Sequence, residues 1–212
     1  MEMEIDGAPT ANPRVRITDI EVLSDNWYTL RKASFEFQHR DGTWSTQHRE
    51  AYDRGNGATA LLFDPERRTV VLTRQFRMPA YLNGLHDGML IETPGGLLDD
   101  DDADNAAAAV RREVEEETGY VVDELRPLFD VYMSPGSVTE RVVFFTGTYH
   151  SSQRTSDGGG HAHEGEDIEV LEIGLDDAAA MIDTGAIRDG KTIMLIQWAL
   201  LQEAKRALSR EH

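Results

Sequence analysis

The stretch from Pro94 to Tyr120 constrains this chain more than any other. A glycine pair in "PGGLLDDDDAD" leads into "NAAAAVRREVEEETG", an Ala-rich helix that Gly119 is placed to stop. On that helix Glu113, Glu116 and Glu117 stand at i, i+3 and i+4, so three carboxylates share one face. Ala107, Val110 and Val114 follow the same spacing on another face and are expected to pack on a sheet. Like charges so spaced cost about a few tenths of a kcal/mol per pair, and the negative end of the helix dipole adds to the repulsion. A divalent cation reverses both terms. Mg²⁺ suits such a site because it takes oxygen ligands and keeps waters that can face a phosphate. The bland alternative is a solvated acidic helix face, the usual meaning of a charge run. The context favours a site: a glycine loop before the helix, a glycine stop directly after the acids, and a strand on either side.

Around this helix the chain reads as one α/β domain with an appendage. Its 212 residues suffice for one core plus a small lobe. After a loose terminus at 1–13, "RVRITDIEVL", "WYTLRKASFEFQHR" and "GTWSTQHREAY" have the residues of strands, with a hairpin turn at Asp41-Gly42. They define an antiparallel β domain over 14–54, and the catalytic domain is expected over 55–212. There "TALLF" and "RTVVLTRQF" flank a turn at Asp64-Pro65, followed by a glycine-containing stretch, "MLIET", and the loop leading to the acidic helix. "RVVFFTGTYH" and "DIEVLEIGL" are further strands, and Ser151 to Gly165 reads as a long mobile loop. "DDAAAMIDTG" and "KTIMLIQWALLQEAKRAL" are closing helices.

Charge and composition narrow the functions. A formal charge of −18 repels nucleic acid and anionic lipid, so a phosphate-bearing substrate needs local cations or a metal. No apolar run is long enough to span a bilayer, and the first residues lack a secretory signal, so a cytoplasmic protein is expected. Cysteine is absent, which leaves carboxylates and His as ligands. His161 and His163 beside Glu164 form a cluster of the kind that binds a transition metal. A Gly- and His-containing loop is more often simply solvated.

"PGG…REVEEETGY" resembles the Nudix box, a glycine loop and helix running Gly, five residues, Glu, seven residues, then Arg-Glu-aliphatic-any-Glu-Glu-any-Gly-aliphatic. The second half matches at Arg112, Glu113, Val114, Glu116, Glu117 and Gly119, with Tyr120 in the final apolar position. The first half departs: counting back from Arg112, Asp104 occupies the Glu position and Leu98 the Gly position, so the loop from Gly96 is lengthened by two residues. Beyond the box, "LSDNWYTL", "REAYDRGNGATALLF", "TVVLTRQFR", "YMSPGSVTE", "EDIEVLEI" and "IRDGKT" resemble the GDP-mannose hydrolases, a branch close to the ADP-ribose pyrophosphatases.

The resemblance implies a Nudix α/β/α sandwich with a mixed sheet, preceded by the small antiparallel domain. It implies a homodimer that exchanges this domain, with a substrate pocket drawn from both subunits; the net charge and the lack of a long apolar run are what speak against a nucleic-acid or membrane partner. Mg²⁺, with Mn²⁺ as a substitute, would be held by Glu113, Glu117, Glu166 and the backbone carbonyl of Gly95. Glu116 lies beside these ligands, and Glu164 is the neighbouring candidate for activating water. The nucleotide-sugar substrate would meet Trp27, Arg49, Glu50, Arg77, Gly96, Leu97, Glu140 and Lys191. Trp27 is suited to stacking on a base, and Arg77 and Lys191 to phosphate or sugar oxygens. The implied reaction is hydrolysis of GDP-mannose to GMP and mannose 1-phosphate. Two alternatives stay open: an ADP-ribose or ADP-sugar pyrophosphatase on the same scaffold, and a non-catalytic nucleotide-binding module.

Overall fold

The computed structural model describes residues 12–98, 105–161 and 165–210. Asp104, His163, Glu164 and nearly all of the N-terminal segment 1–13 lie outside the described residues.

Contacts divide the chain into two units: residues to Gly55 together with Tyr132–Glu140, and Asn56–Val131 together with the chain from Arg141 onward. In the first unit, β1 (Val15–Asp25), β2 (Thr29–Gln38) and β3 (Trp44–Asp53) form an antiparallel sheet in that order. The β2–β3 turn closes where Asp41 Oδ1 accepts from the Thr43 amide at 3.0 Å, while Gly42 takes a φ of 87°. None of its strand residues is fully buried. The segment 132–140 joins this unit by backbone pairing, with Tyr52 N–H donating to Ser137 O at 2.8 Å and Thr139 N–H donating to Tyr52 O at 3.1 Å.

The second unit is built on β4 (Asn56–Asp64) and β5 (Thr69–Phe76), whose residues are mostly buried. A strand buried on both faces reads as a continuous apolar run, and "TALLF" and "TVVL" are such runs. Among the described residues the sheet has the order β10-β5-β4-β9-β8, where β8 is Arg126–Tyr132, β9 Arg141–Thr148 and β10 Glu169–Gly174. β4 runs parallel to β9 and antiparallel to β5, so the sheet is mixed. Two short strands pair off this path: β6 (Met89–Glu92) on β5 and β7 (Gly95–Leu98) on the first half of β4.

Alternation along the strands supplies two cores. Ala58, Ala60, Leu62, Val71 and Phe145 pack with Val110 and Val114 of α2 (Ala106–Thr118). Leu61, Val70, Leu72 and Phe144 have the opposite parity and are fully buried, as are Leu175 of α3 (Leu175–Asp183) and Leu195 and Ile196 of α4 (Gly190–Arg210). The result is the expected α/β/α sandwich.

Three local features differ from the sequence reading. "PGGLL" is strand β7 rather than loop, because Gly95 lacks a Cβ that would press into Ala58 O of β4. A short helix, α1 (Met78–Leu82), opens the glycine-containing stretch, with a proline in its first turn. The segment from Ser151 is not simply open loop. It starts as a 3-10 turn at Ser151–Gln153 and then bonds along the end of α2, with Thr155 N–H donating to Gly119 O at 2.8 Å.

Candidate active site

Helix α2 is fixed at both ends and along one side. The Asn105 side chain caps its N-terminus at the Ala108 amide, and Gly119 ends it in the left-handed region with a φ of 75°. Val110 and Val114 are 0% exposed, and burying two valines is worth roughly 3–6 kcal/mol in total. This packing turns the last two turns, with their acids, toward β7.

The acids then part company. Glu117 is only 3% exposed, and its Oε2 accepts from the Gly95 amide at 3.1 Å. Burial pushes its carboxyl up to about 8; the Gly95 N–H opposes this, and the charges of Glu113 and Glu166 add to it. Glu113 packs so closely on β7 that a Cβ on Gly96 would stand 2.5 Å from its carboxyl carbon. Glu116 is exposed on the last turn, with His161 Nε2 3.4 Å from its carboxylate.

A glycine triplet brings in the distant acid. Gly158, Gly159 and Gly160 all have positive φ, a conformation side chains resist. The amides of Gly159 and Gly160 donate to Glu117 O at 2.9 Å and Glu116 O at 3.1 Å, satisfying carbonyls that a helix end leaves without partners. The chain then returns so that Glu166 Oε2 accepts from the His161 amide at 2.8 Å. A Cβ on Gly160 would press into that carboxylate.

A cationic group adjoins the acids. Arg77 Nε donates to Glu92 Oε2 at 2.7 Å, and Lys191 Nζ lies 3.4 Å from Glu92 Oε1 and 2.7 Å from Asp189 Oδ1. The Arg77 charge is felt at both Glu117 and Lys191, which ties the two groups together. Burial lowers the Lys191 pKa, but Asp189 and Glu92 outweigh it and the ammonium stays above its ordinary value.

Residues 53–195 match the model of the NUDIX domain, and residues 14–52 match that of the GDP-mannose pyrophosphatase NudK N-terminal domain. The chain belongs to the Nudix family. Proteins named GDP-mannose pyrophosphatase are similar along most of its length. That of Pectobacterium atrosepticum is 49% identical over 89% of this chain and 95% of its own, and that of Yersinia pestis (strain Pestoides F) is 52% identical over 87% and 92%. A solved ADP compounds hydrolase shares the fold, with a TM-score of 0.68 at 14% identity over 93% of this chain and 97% of that one.

The acidic group of this Nudix chain fits a hard divalent cation. Glu117 is a buried carboxylate beside two more carboxylate charges, which disfavours the ionised form until a cation is present. Among the described residues no three carboxylates or imidazoles already converge around one point, so the ligands would have to draw together on an ion. Gly96 and Leu97 lie on β7, partly buried. Trp27, Arg49, Glu50 and Glu140 belong to the first unit. There Trp27 is 82% exposed, Arg49 bonds to His48 O and Gln47, Glu50 is exposed, and Glu140 pairs with Arg54 at 3.6 Å.

Glu92, Asp189, Thr93 and Thr192 escaped the sequence reading. All four lie in or beside quoted segments: Glu92 ends an apolar run directly before Thr93 of "TPGG", and Asp189 and Thr192 lie within "IRDGKT", but nothing in the pattern joins the two segments.

Proposed function

We propose that this chain is a Mg²⁺-dependent hydrolase of GDP-mannose, releasing GMP and mannose 1-phosphate, and that Mn²⁺ can substitute. The observation that carries the reading is Glu117, a buried carboxylate whose burial and acidic neighbours disfavour its charge. The names of relatives about half identical to this chain supply the substrate. Glu113, Glu117, Glu166 and the Gly95 carbonyl would hold the ion, which when bound supplies charge neutralisation at the pyrophosphate and acidifies water.

The protein's own part is positioning and electrostatics, on which hydrolysis at phosphorus mainly depends. Arg77 and Lys191 bind anionic oxygens, and Gly96 and Leu97 present β7 to the substrate. Glu164 is our candidate for activating the attacking water, with Glu116, Glu117 and Glu166 the other carboxylates of the catalytic set. We further propose that residues 14–54 form the dimerisation domain of a cytoplasmic homodimer. In that dimer Trp27, Arg49, Glu50 and Glu140 serve the substrate pocket, with Trp27 as the stacking surface for the base. Among the described residues no helix is long and apolar enough to cross a membrane.

Phosphorus NMR with GDP-mannose tests the reading, run with Mg²⁺ and with a chelator. GMP and mannose 1-phosphate should appear only with the metal. Faster turnover of ADP-ribose at equal concentration would move the specificity, and no cleavage of either sugar nucleotide would sink the enzymatic assignment.

A further inference from the structure

Glu92 ends β6 and is 4% exposed, a position where an ionised carboxylate is tolerated only with partners. Its partners come from distant parts of the chain: Arg77 follows β5 and grips one oxygen, while Lys191 begins α4 and meets the other. A ring of hydrogen bonds closes behind them. Asp189 Oδ1 holds Lys191 at 2.7 Å, and its Oδ2 accepts from the Thr192 amide at 2.9 Å and hydroxyl at 2.8 Å. The Thr192 hydroxyl oxygen accepts from the amide of Thr93, the residue after Glu92, at 2.7 Å. Thr93 and Thr192 are 4% and 0% exposed, so the ring is built into the core.

Stability alone does not account for this ring, because a buried ion pair is often no better than an apolar replacement of its size. What it does provide is a fixed geometry. Arg77 spends only Nε on Glu92, its side chain is 42% exposed, and its charge reaches Glu117. A guanidinium so held still has its terminal nitrogens to offer an anion in one orientation.

We propose that Glu92 is a positioning residue of the substrate site, its two oxygens clamping Arg77 and Lys191 so that both cations face the diphosphate of a nucleotide sugar. The inference rests on the function proposed above. It predicts that loss of the Glu92 charge acts through the two cations, by raising the entropic cost of binding rather than by changing the acidic cluster.

The test uses the full-length protein and the variants Glu92→Gln, Glu92→Asp, Arg77→Ala and the Glu92→Gln/Arg77→Ala double, each checked for a cooperative thermal melt. Steady-state kinetics with GDP-mannose and Mg²⁺ are paired with calorimetric binding of GDP in chelator. Glu92→Gln should raise KM about tenfold, the scale of one charge-assisted hydrogen bond, with kcat within about threefold. GDP binding without metal should weaken by a similar factor, and Glu92→Asp should fall between Glu92→Gln and wild type. The double variant should lose less than the product of the two single effects, since the share of Glu92 that acts through Arg77 is already lost and only its hold on Lys191 remains. An unchanged or lowered KM in Glu92→Gln, a loss confined to kcat, or multiplying effects in the double overturns the proposal. Should Glu92→Gln not fold, an Asp variant with wild-type KM and GDP affinity overturns it as well. A wild-type protein that cleaves no sugar nucleotide defeats the functional reading instead, and the GDP-binding arm still decides the role of Glu92.

Discussion

The two halves of the candidate site handle buried charge in opposite ways. On the cationic side, Glu92 and Asp189 sit against Arg77 and Lys191, so two negative charges meet two positive ones within the protein. On the acidic side, burial and the charges of Glu113 and Glu166 raise the Glu117 pKa, and the Gly95 amide and the Arg77 charge offset this only in part. The first half is complete as folded. In the second, burial and two neighbouring carboxylates disfavour the Glu117 charge, which a divalent cation would relieve. On the proposed reading, the cationic side is preorganised for an anion, while the acidic side would become fully ionised only with its cation bound.

The strongest way to break the contrast is to neutralise the acidic half. Glu117→Gln keeps the shape and an acceptor for the Gly95 amide, so kcat/KM for GDP-mannose should fall about 10³-fold while the fold is kept. Near-wild-type activity in that variant would remove Glu117 from the chemistry.

The second prediction concerns pH. Glu117 has a folded value of about 8 against an ordinary 4.5, so the folded protein binds its proton more tightly than the unfolded chain. Stability of the metal-free protein should therefore fall as pH rises between these values, by about 1.4 kcal/mol per unit at the steepest, and level off above them. Saturating Mg²⁺ or Glu117→Gln should flatten the slope. Urea unfolding in chelator from pH 5 to 9 checks this, and identical profiles for wild type and Glu117→Gln would contradict it.

A smaller effect is expected at the loop that delivers Glu166. Gly160→Ala places a Cβ against the Glu166 carboxylate in a backbone conformation with a φ of 72°. It should cost about 1–2 kcal/mol of stability. Displacing Glu166 should also weaken Mg²⁺ binding about tenfold, on the scale of losing one charge-assisted contact. Calorimetric titration of Mg²⁺ reads this directly, and unchanged affinity would separate the triplet from the metal site.

The mildest change belongs to the cationic half. Lys191→Met should raise KM about tenfold with kcat nearly unchanged, as expected for binding made equally to substrate and transition state. The increase in melting temperature on adding Mg²⁺ should survive intact. A lost metal response in this variant would show that the two halves are not separable.

Local pattern determined a good deal here. The spacing of Val110 and Val114 and the Gly119 stop make α2 readable from sequence, because a helix's periodicity and its glycine stop lie within or directly beside its own residues. The apolar runs of β4, β5 and β9 and the closing helices likewise announce an α/β domain, and Glu113, Glu116 and Glu117 announce an acidic face; the α/β/α sandwich followed from the family resemblance. Which of those acids is buried was not legible: their spacing is nearly equivalent on the helix, and only the seating of α2 against β7 covers Glu117 while leaving Glu116 open. The identity of "PGGLL" as a strand depended in the same way on a partner, since β7 exists through its pairing with β4. Tertiary structure alone joined Glu92 to Lys191, 99 residues apart, and bent a glycine triplet onto the end of α2. Such contacts are absent from local pattern because a charge's burial and its partners are set by whatever the rest of the chain packs around it.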